Sequence, residues 1–283
     1  LAYSPAIHWI LRIGAFMCFV GHGAFGVQTK QGWLPFFHAL GIHNDALALR
    51  IMPIVGTNDI IMGLFVLLSP CRIVLAWMAV WAVFTAFLRP MAGQGFWEVI
   101  ERGGNYGVPL AFLAMSGWAR SWREWFEPIV PRPTPEPSPA TMATVAMVLR
   151  LATAFLLIGH AGYGAFMHKK MLIDQYAAVG FGGFPGGAAS LVPAVGWFEM
   201  VLGVAVLLAP LPPLLLFICL WKVATEMLYP VSGIGQTPFF EWVERGGSYT
   251  APLALFVLTA RRSIPGLAGN GRRMAVSAGA ARS

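Results

Sequence analysis

Charge is what this 283-residue chain has least of: Asp, Glu, Lys and Arg make up 11% of it, against 57% hydrophobic residues. Mean hydropathy is +0.67. A water-exposed surface needs more charge than this, so an ordinary soluble domain is excluded. Short runs of alternating apolar and polar residues are missing too, which excludes a transmembrane β-barrel. Long apolar runs such as "FVLLSPCRIVLAWMAVWAVFTAFL" stand in their place. A bilayer accepts such runs as helices, whose backbone groups are satisfied internally. The sequence therefore predicts an all-α integral membrane protein surrounded by a lipid bilayer.

Other absences narrow the chemistry. Three cysteines, Cys18, Cys71 and Cys219, lie scattered in or beside apolar segments with no CxxC spacing. They read as packing residues rather than disulfide partners or metal ligands. HxxxH and ExxH spacings are missing, and His38 and His43 have no counterpart later in the chain, so no metal site is predicted. No GxGxxG follows a strand, which leaves out a nucleotide or flavin fold. The net charge of +7 does not point to nucleic acid, because Arg261, Arg262, Arg272, Arg273 and Arg282 gather in a Gly-, Ala- and Ser-rich tail. That is the pattern of a cytoplasmic end under the positive-inside rule. The first apolar run lacks a small-residue cleavage site after it and has a counterpart in mid-chain, so it reads as a retained span.

What is present is written twice. "LRIGAFMCFVGHGAFG" (11–26) matches "LRLATAFLLIGHAGYG" (149–164), "MPIVGTNDIIMGLFVLLSP" matches "VPAVGWFEMVLGVAVLLAP", and "ERGGNYGVPLAF" (101–112) matches "ERGGSYTAPLAL" (244–255). Among the matched positions, Arg12, His22, Asp59, Trp81, Thr85, Glu98, Glu101 and Arg102 fall on Arg150, His160, Glu199, Trp221, Thr225, Glu241, Glu244 and Arg245. We read a tandem duplication with a first membrane unit at 1–127, a proline-spaced linker at 128–141, a second unit at 142–262 and a basic tail at 263–283. Each unit is expected to hold four transmembrane helices, near 7–28, 47–69, 71–89 and 104–119, then 144–167, 189–209, 211–229 and 247–261. Four is even, so the units should share one orientation, related by a pseudo-two-fold axis along the membrane normal, with both termini and the linker on the cytoplasmic side.

An ionisable residue at membrane depth needs a partner or a function. Arg12 on the first helix is expected to reach Asp59 on the antiparallel second helix, and Arg150 to reach Glu199, as salt bridges or as parts of a proton- or ligand-handling site. His22 and His160 sit among small residues in "GHGAFG" and "GHAGYG". Small neighbours admit another helix or a flat ligand, so these histidines are candidates for packing, for a hydrogen bond to a quinone-like carbonyl, or for ligation of a b-type haem. Glu98, Glu101 and Arg102 precede the fourth helix, and Glu241, Glu244 and Arg245 the eighth, on the outer side that the histidines approach. Together these residues suit the polar head of an amphipathic ligand, or the anchor of a re-entrant elbow. The halves differ at Lys222 and Glu226, where the first has Ala82 and Ala86. A Lys–Glu pair one turn apart either neutralises itself or marks the second unit as the active one.

The "LRxxxxxxxxxGHG"-like first helix, the "G-x-x-D/E-x-x-x-G-x-x-x-L-L" second helix and the glycine-led fourth helix resemble the DoxX-like membrane superfamily, twice over nearly the whole chain. Arg12 with Asp59, and Arg150 with Glu199, match its first-helix basic and second-helix acidic positions. The resemblance implies membrane redox work, a quinone partner and other subunits of a complex in the bacterial inner membrane. The tandem fusion and the Glu-Arg-Gly-Gly blocks depart from that family's usual single unit. The leading expectation is a quinone-linked membrane subunit. A structural subunit without its own cofactor and a proton-coupled small-molecule carrier are the rivals.

Overall fold

The computed structural model describes residue 1 and residues 3–263; the basic tail beyond 263 lies outside the described residues. Among them all the regular secondary structure is helical, apart from an isolated bridge between Cys71 and Pro128. The first half contains α1 (Pro5–Val27), α2 (Leu34–Ala39), α3 (Asp45–Leu68), α4 (Arg72–Met91), α5 (Trp97–Glu101) and α6 (Gly103–Ser116). The second contains α7 (Pro139–Ala165), α8 (Lys170–Ala178), α9 (Ala188–Leu208), α10 (Pro212–Glu226), α11 (Leu228–Ser232), α12 (Pro238–Glu244) and α13 (Gly246–Ser263). Proline occupies the first turn of α1, α7, α10 and α12, where its missing N–H costs no intrahelical bond.

Among the described residues, six helical stretches are long and apolar enough to cross a membrane: α1, α3, α4, α7, α9 and α10 continued through α11. The eight predicted crossings thus reduce to six on this criterion. The fourth segments fall short for a physical reason. Helix α6 has 14 residues, about 21 Å at 1.5 Å per residue, against a hydrocarbon layer of about 30 Å. Helix α13 is diluted by Gly and Ser at its start and by Arg261 and Arg262 at its end. The linker is also shorter than expected, since Ser138 caps α7 by accepting from the Thr141 N–H and the helix begins at Pro139.

The two halves interlock. Helix α1 packs on α13 and α12 of the second half as well as on α3, and α7 packs on α6 and α5 of the first half as well as on α9. One apolar core draws Ile7, Leu11 and Phe112 from the first half together with Leu149, Leu157 and Leu255 from the second. Where α6 meets α13, glycine is required: a Cβ on Gly104 would stand 2.7 Å from the Gly247 carbonyl carbon, and one on Gly247 2.4 Å from that of Gly104. Gly104→Leu is therefore expected to force the halves apart, read as a loss of monodisperse protein on size exclusion and a drop in thermal midpoint. Helices α3, α4, α9 and α10 carry the exposed apolar surface, and each buries only about a third of its most apolar stretch. Beyond α6, Trp118 and Trp122 are 77% and 73% exposed beside Arg120 and Arg123, the composition of a membrane–water interface.

Candidate functional site

Each short helix α5 and α12 ends at an arginine and turns into a glycine-led helix, so the Glu-Arg-Gly-Gly blocks are elbows. Glu98, Glu241 and Glu244 are each reached by a cation from the opposite half. Lys169 donates to Glu98 at 2.8 Å and the Tyr163 hydroxyl donates to its other oxygen at 2.5 Å, while Arg89 stands 3.7 Å away. Lys30 pairs with Glu241 in the reciprocal crossing. Each lysine also lies over an aromatic ring at the same helix position, Lys169 over Tyr163 and Lys30 over Phe25, both at 3.9 Å. Burial alone would raise the Glu98 carboxyl, but Lys169 and Arg89 outweigh it and hold the group at about 2. Glu241 is likewise lowered: burial raises it, and Arg245 and Lys30 more than offset that. For a depressed carboxyl the stabilisation is full above the unfolded-state value, near 4.5, and disappears as pH falls through the folded value. The Glu98 contribution should thus decline between about pH 4.5 and 2. Lys169→Ala should move the acid unfolding transition of detergent-solubilised protein to higher pH.

The histidines, and not the arginines, meet the intramembrane carboxylates. His22 Nδ1 lies 2.8 Å from Asp59 Oδ2, and His160 Nδ1 bonds Glu199 Oε2. The expected Arg12–Asp59 and Arg150–Glu199 pairs are corrected accordingly. Arg12 Nε donates to the Val66 carbonyl and Arg150 Nε to the Val206 carbonyl, each at 3.0 Å, and Arg150 also donates to Leu207 O. Those oxygens belong to the last turns of α3 and α9, where helical carbonyls lack intrahelical donors and the dipole attracts cations. Asp59 lies seven residues earlier on α3, about 10 Å back along the axis.

In the second half a buried ion network runs from this pair. Trp221 Nε1 donates to Glu199 Oε1 at 3.0 Å, and Lys222 Nζ stands 3.5 Å from that oxygen and 2.7 Å from Glu226. Glu226 is 2.8 Å from Arg245 Nε, and Arg245 is 2.9 Å from Glu241 and 3.3 Å from Glu244. The Tyr229 hydroxyl accepts from Arg245 at 2.8 Å. Glu244 crosses to the first half, accepting from Asn105 Nδ2 at 2.7 Å and from Arg102, whose Nε is 4.0 Å from Glu101. Lys222 and Glu226 are each 1% exposed. At that burial an ion pair persists only when both partners are answered, as they are here.

The first half has Ala82 and Ala86 in place of Lys222 and Glu226 and contains two chambers instead. An inner one of about 20 Å³ is lined by Cys18, Phe19, His22, Trp81, Ala82, Thr85, Arg102 and Asn105. An outer one of about 80 Å³ shares His22, Trp81 and Thr85 with it and is otherwise walled by Trp33, Phe36, Phe37, Leu40, Val55, Phe84, Leu88 and Arg89. The inner chamber has room for about one water-sized group. Of the lining side chains, Trp81 Nε1, Arg89 Nε and Arg102 Nε are buried polar atoms with no hydrogen-bonding protein partner, and so is Oδ1 of Asp59, which lines neither chamber but is held by His22, which lines both. The arrangement can seat an apolar body in the outer chamber with a polar end turned to His22. A haem macrocycle has no room in either chamber, and no cluster of three metal-ligating side chains occurs among the described residues.

The structure gathers His22 and Arg102 at the chambers, while His160, Glu199, Lys222, Glu226, Arg245 and Glu244 form the closed network of the second half. Glu98, Glu101 and Glu241 secure the elbows rather than line a chamber. Sequence reasoning missed Trp81, Thr85, Arg89 and Asn105 as site residues, although Trp81 and Thr85 match Trp221 and Thr225 between the halves. Comparison with known protein families, characterised proteins and solved structures gives no match to this chain.

Proposed function

We propose that the chain is a DoxX-like, tandemly duplicated membrane subunit that holds a quinone-like amphipathic ligand in the chambers of its first unit, within a redox assembly of the bacterial inner membrane. The observation that carries this reading is the paired chamber beside His22, apolar outside and polar within, with buried donors turned to no protein acceptor. Apolar walls with a few converging polar groups are the usual make-up of a small-molecule site. Reduction of a quinone carbonyl to a hydroxyl takes one electron and one proton per oxygen. In this account a partner subunit supplies the electrons, and His22, backed by Asp59, passes the proton to the oxygen facing it.

The duplicated architecture belongs to the same proposal: two units of four crossings each, the fourth being α6 or α13 with its elbow preceding it on the outer side, related by an axis along the membrane normal through Gly104 and Gly247. The reciprocal Lys30–Glu241 and Lys169–Glu98 pairs support it. Cytoplasmic termini belong to it as well, supported by the arginines at 261, 262, 272, 273 and 282 of the sequence, which gather basic residues on that side. Against carriage stands the double neutralisation of Lys222 and Glu226, which leaves neither free to couple a proton to transport.

Titration of purified protein in lipid nanodiscs with a short-chain quinone tests the reading. We expect saturable binding of one molecule per chain, weakened about tenfold when Phe84→Ala or Leu88→Ala opens the outer wall, the loss expected for removing a large apolar contact. Binding that never saturates, or that ignores both substitutions, would point to partition into lipid and to a purely structural subunit.

A further inference from the structure

The open chamber of the first half and the closed network of the second differ by a few atoms, and those atoms describe what the ligand must carry. In the second half Trp221 Nε1 donates directly to Glu199 Oε1 at 3.0 Å, with Lys222 Nζ 3.5 Å from the same oxygen. At the matching positions the first half has Trp81, Asp59 and Ala82. The carboxylate is one methylene shorter and the lysine is gone. As a consequence Trp81 Nε1, a donor, and Asp59 Oδ1, an acceptor, are buried with no protein partner. The inner chamber lies against Trp81, Ala82 and His22, the residue that grips the other oxygen of Asp59.

Whatever completes this pair has to accept from Trp81 and donate to Asp59. A carbonyl oxygen only accepts, whereas a hydroxyl does both. The space is that of one hydroxyl-sized group. Resting on the quinone-like reading of the site, we infer that the ligand presents a hydroxyl to Trp81 and Asp59, so that the chain holds the reduced, quinol form in preference to the oxidised quinone. The second unit is closed to such a ligand by its own side chains, because Lys222 stands at the position where the first has Ala82, which lines the inner chamber, and pairs there with Glu226. Of the two matching positions, the one in the first half is open and the one in the second is a self-filled copy. A buried acceptor left unanswered is costly, which is why the oxidised form, unable to donate to Asp59 Oδ1, binds less well.

The experiment is equilibrium binding to the full chain in nanodiscs under anaerobic conditions, with a short-chain ubiquinol and its ubiquinone as probes. Wild-type protein is expected to bind the quinol about tenfold more tightly, the worth of one added hydrogen bond at a buried site. Asp59→Glu installs the residue that the second half already carries and lets the longer carboxylate reach Trp81 directly. It should lower quinol affinity to that of the quinone, with the thermal midpoint checked to confirm folding. Trp81→Phe removes a donor that both forms use, so it should weaken both alike and leave their ratio unchanged. Equal affinity of the two forms for wild-type protein, or a preference that survives Asp59→Glu, would overturn the inference and leave quinone binding standing, with water bridging the two side chains. Failure of both forms to bind would overturn the inference together with the proposed function.

Discussion

Arg245→Leu is expected to leave little folded protein. Arg245 is 7% exposed and stands within 3.3 Å of Glu226, Glu241 and Glu244, so its loss takes one cationic partner from each of three buried carboxylates and leaves their charge under-compensated in a low-dielectric interior. Removing one partner of a buried pair costs about 3 to 5 kcal/mol, a large share of the marginal stability of a typical domain. The effect reaches the first half, because Glu244 also holds Arg102 and Asn105. Glu226→Leu alone should be similarly damaging, since it uncovers Lys222 and one side of Arg245. The double variant Lys222→Met with Glu226→Leu removes both charges together. It leaves Glu199 with His160 and Trp221, and Arg245 with Glu241 and Glu244. That variant should recover most of the stability lost by Glu226→Leu, measured as the midpoint of thermal unfolding in detergent. A single and a double variant of equal stability would mean that the pair is not coupled as its geometry implies.

The second large effect separates the two histidines. His22→Ala is expected to lower affinity for the quinol probe by at least about tenfold, because it removes both the wall common to the two chambers and the partner of Asp59. His160→Ala strips an equivalent hydrogen bond from Glu199, which keeps Trp221 and Lys222. That change should lower stability while leaving ligand binding within about twofold, because His160 lines neither chamber. Binding isotherms and thermal midpoints on the same preparations separate these outcomes. Equal loss of binding in both variants would mean that both halves hold ligand.

The long apolar helices were legible because hydropathy over twenty residues has few other readings, and the boundaries of α1, α3, α4 and α9 lie within three residues of those expected. The fourth segments were harder. Their apolar residues face the interior of the protein rather than lipid, so α6 has no need to match the bilayer in length. Partner choice was illegible for Arg12 and His22, which share one helix opposite one carboxylate: spacing along α1 does not say which side chain faces Asp59. The crossings from Lys30 to Glu241 and from Lys169 to Glu98 join residues of different halves, and a pattern read within each half contains nothing about contacts between them. One residue of the inner chamber was already in the sequence as a difference: Ala82 stands against Lys222, beside the changes of Asp59 against Glu199 and Ala86 against Glu226, yet a loss of side-chain volume reads as a cavity only once the surrounding helices are in position.

The central claim, that the first unit holds an amphipathic redox ligand beside His22, is tested most directly on the protein purified in mild detergent from its native membrane. An oxidised-minus-reduced optical spectrum would be recorded, followed by organic extraction and mass spectrometry. The account predicts one quinone-type molecule per chain, no haem band, and loss of that molecule in His22→Ala but not in His160→Ala. A stoichiometric haem, or the absence of any bound quinone-type molecule from wild-type protein, would contradict it.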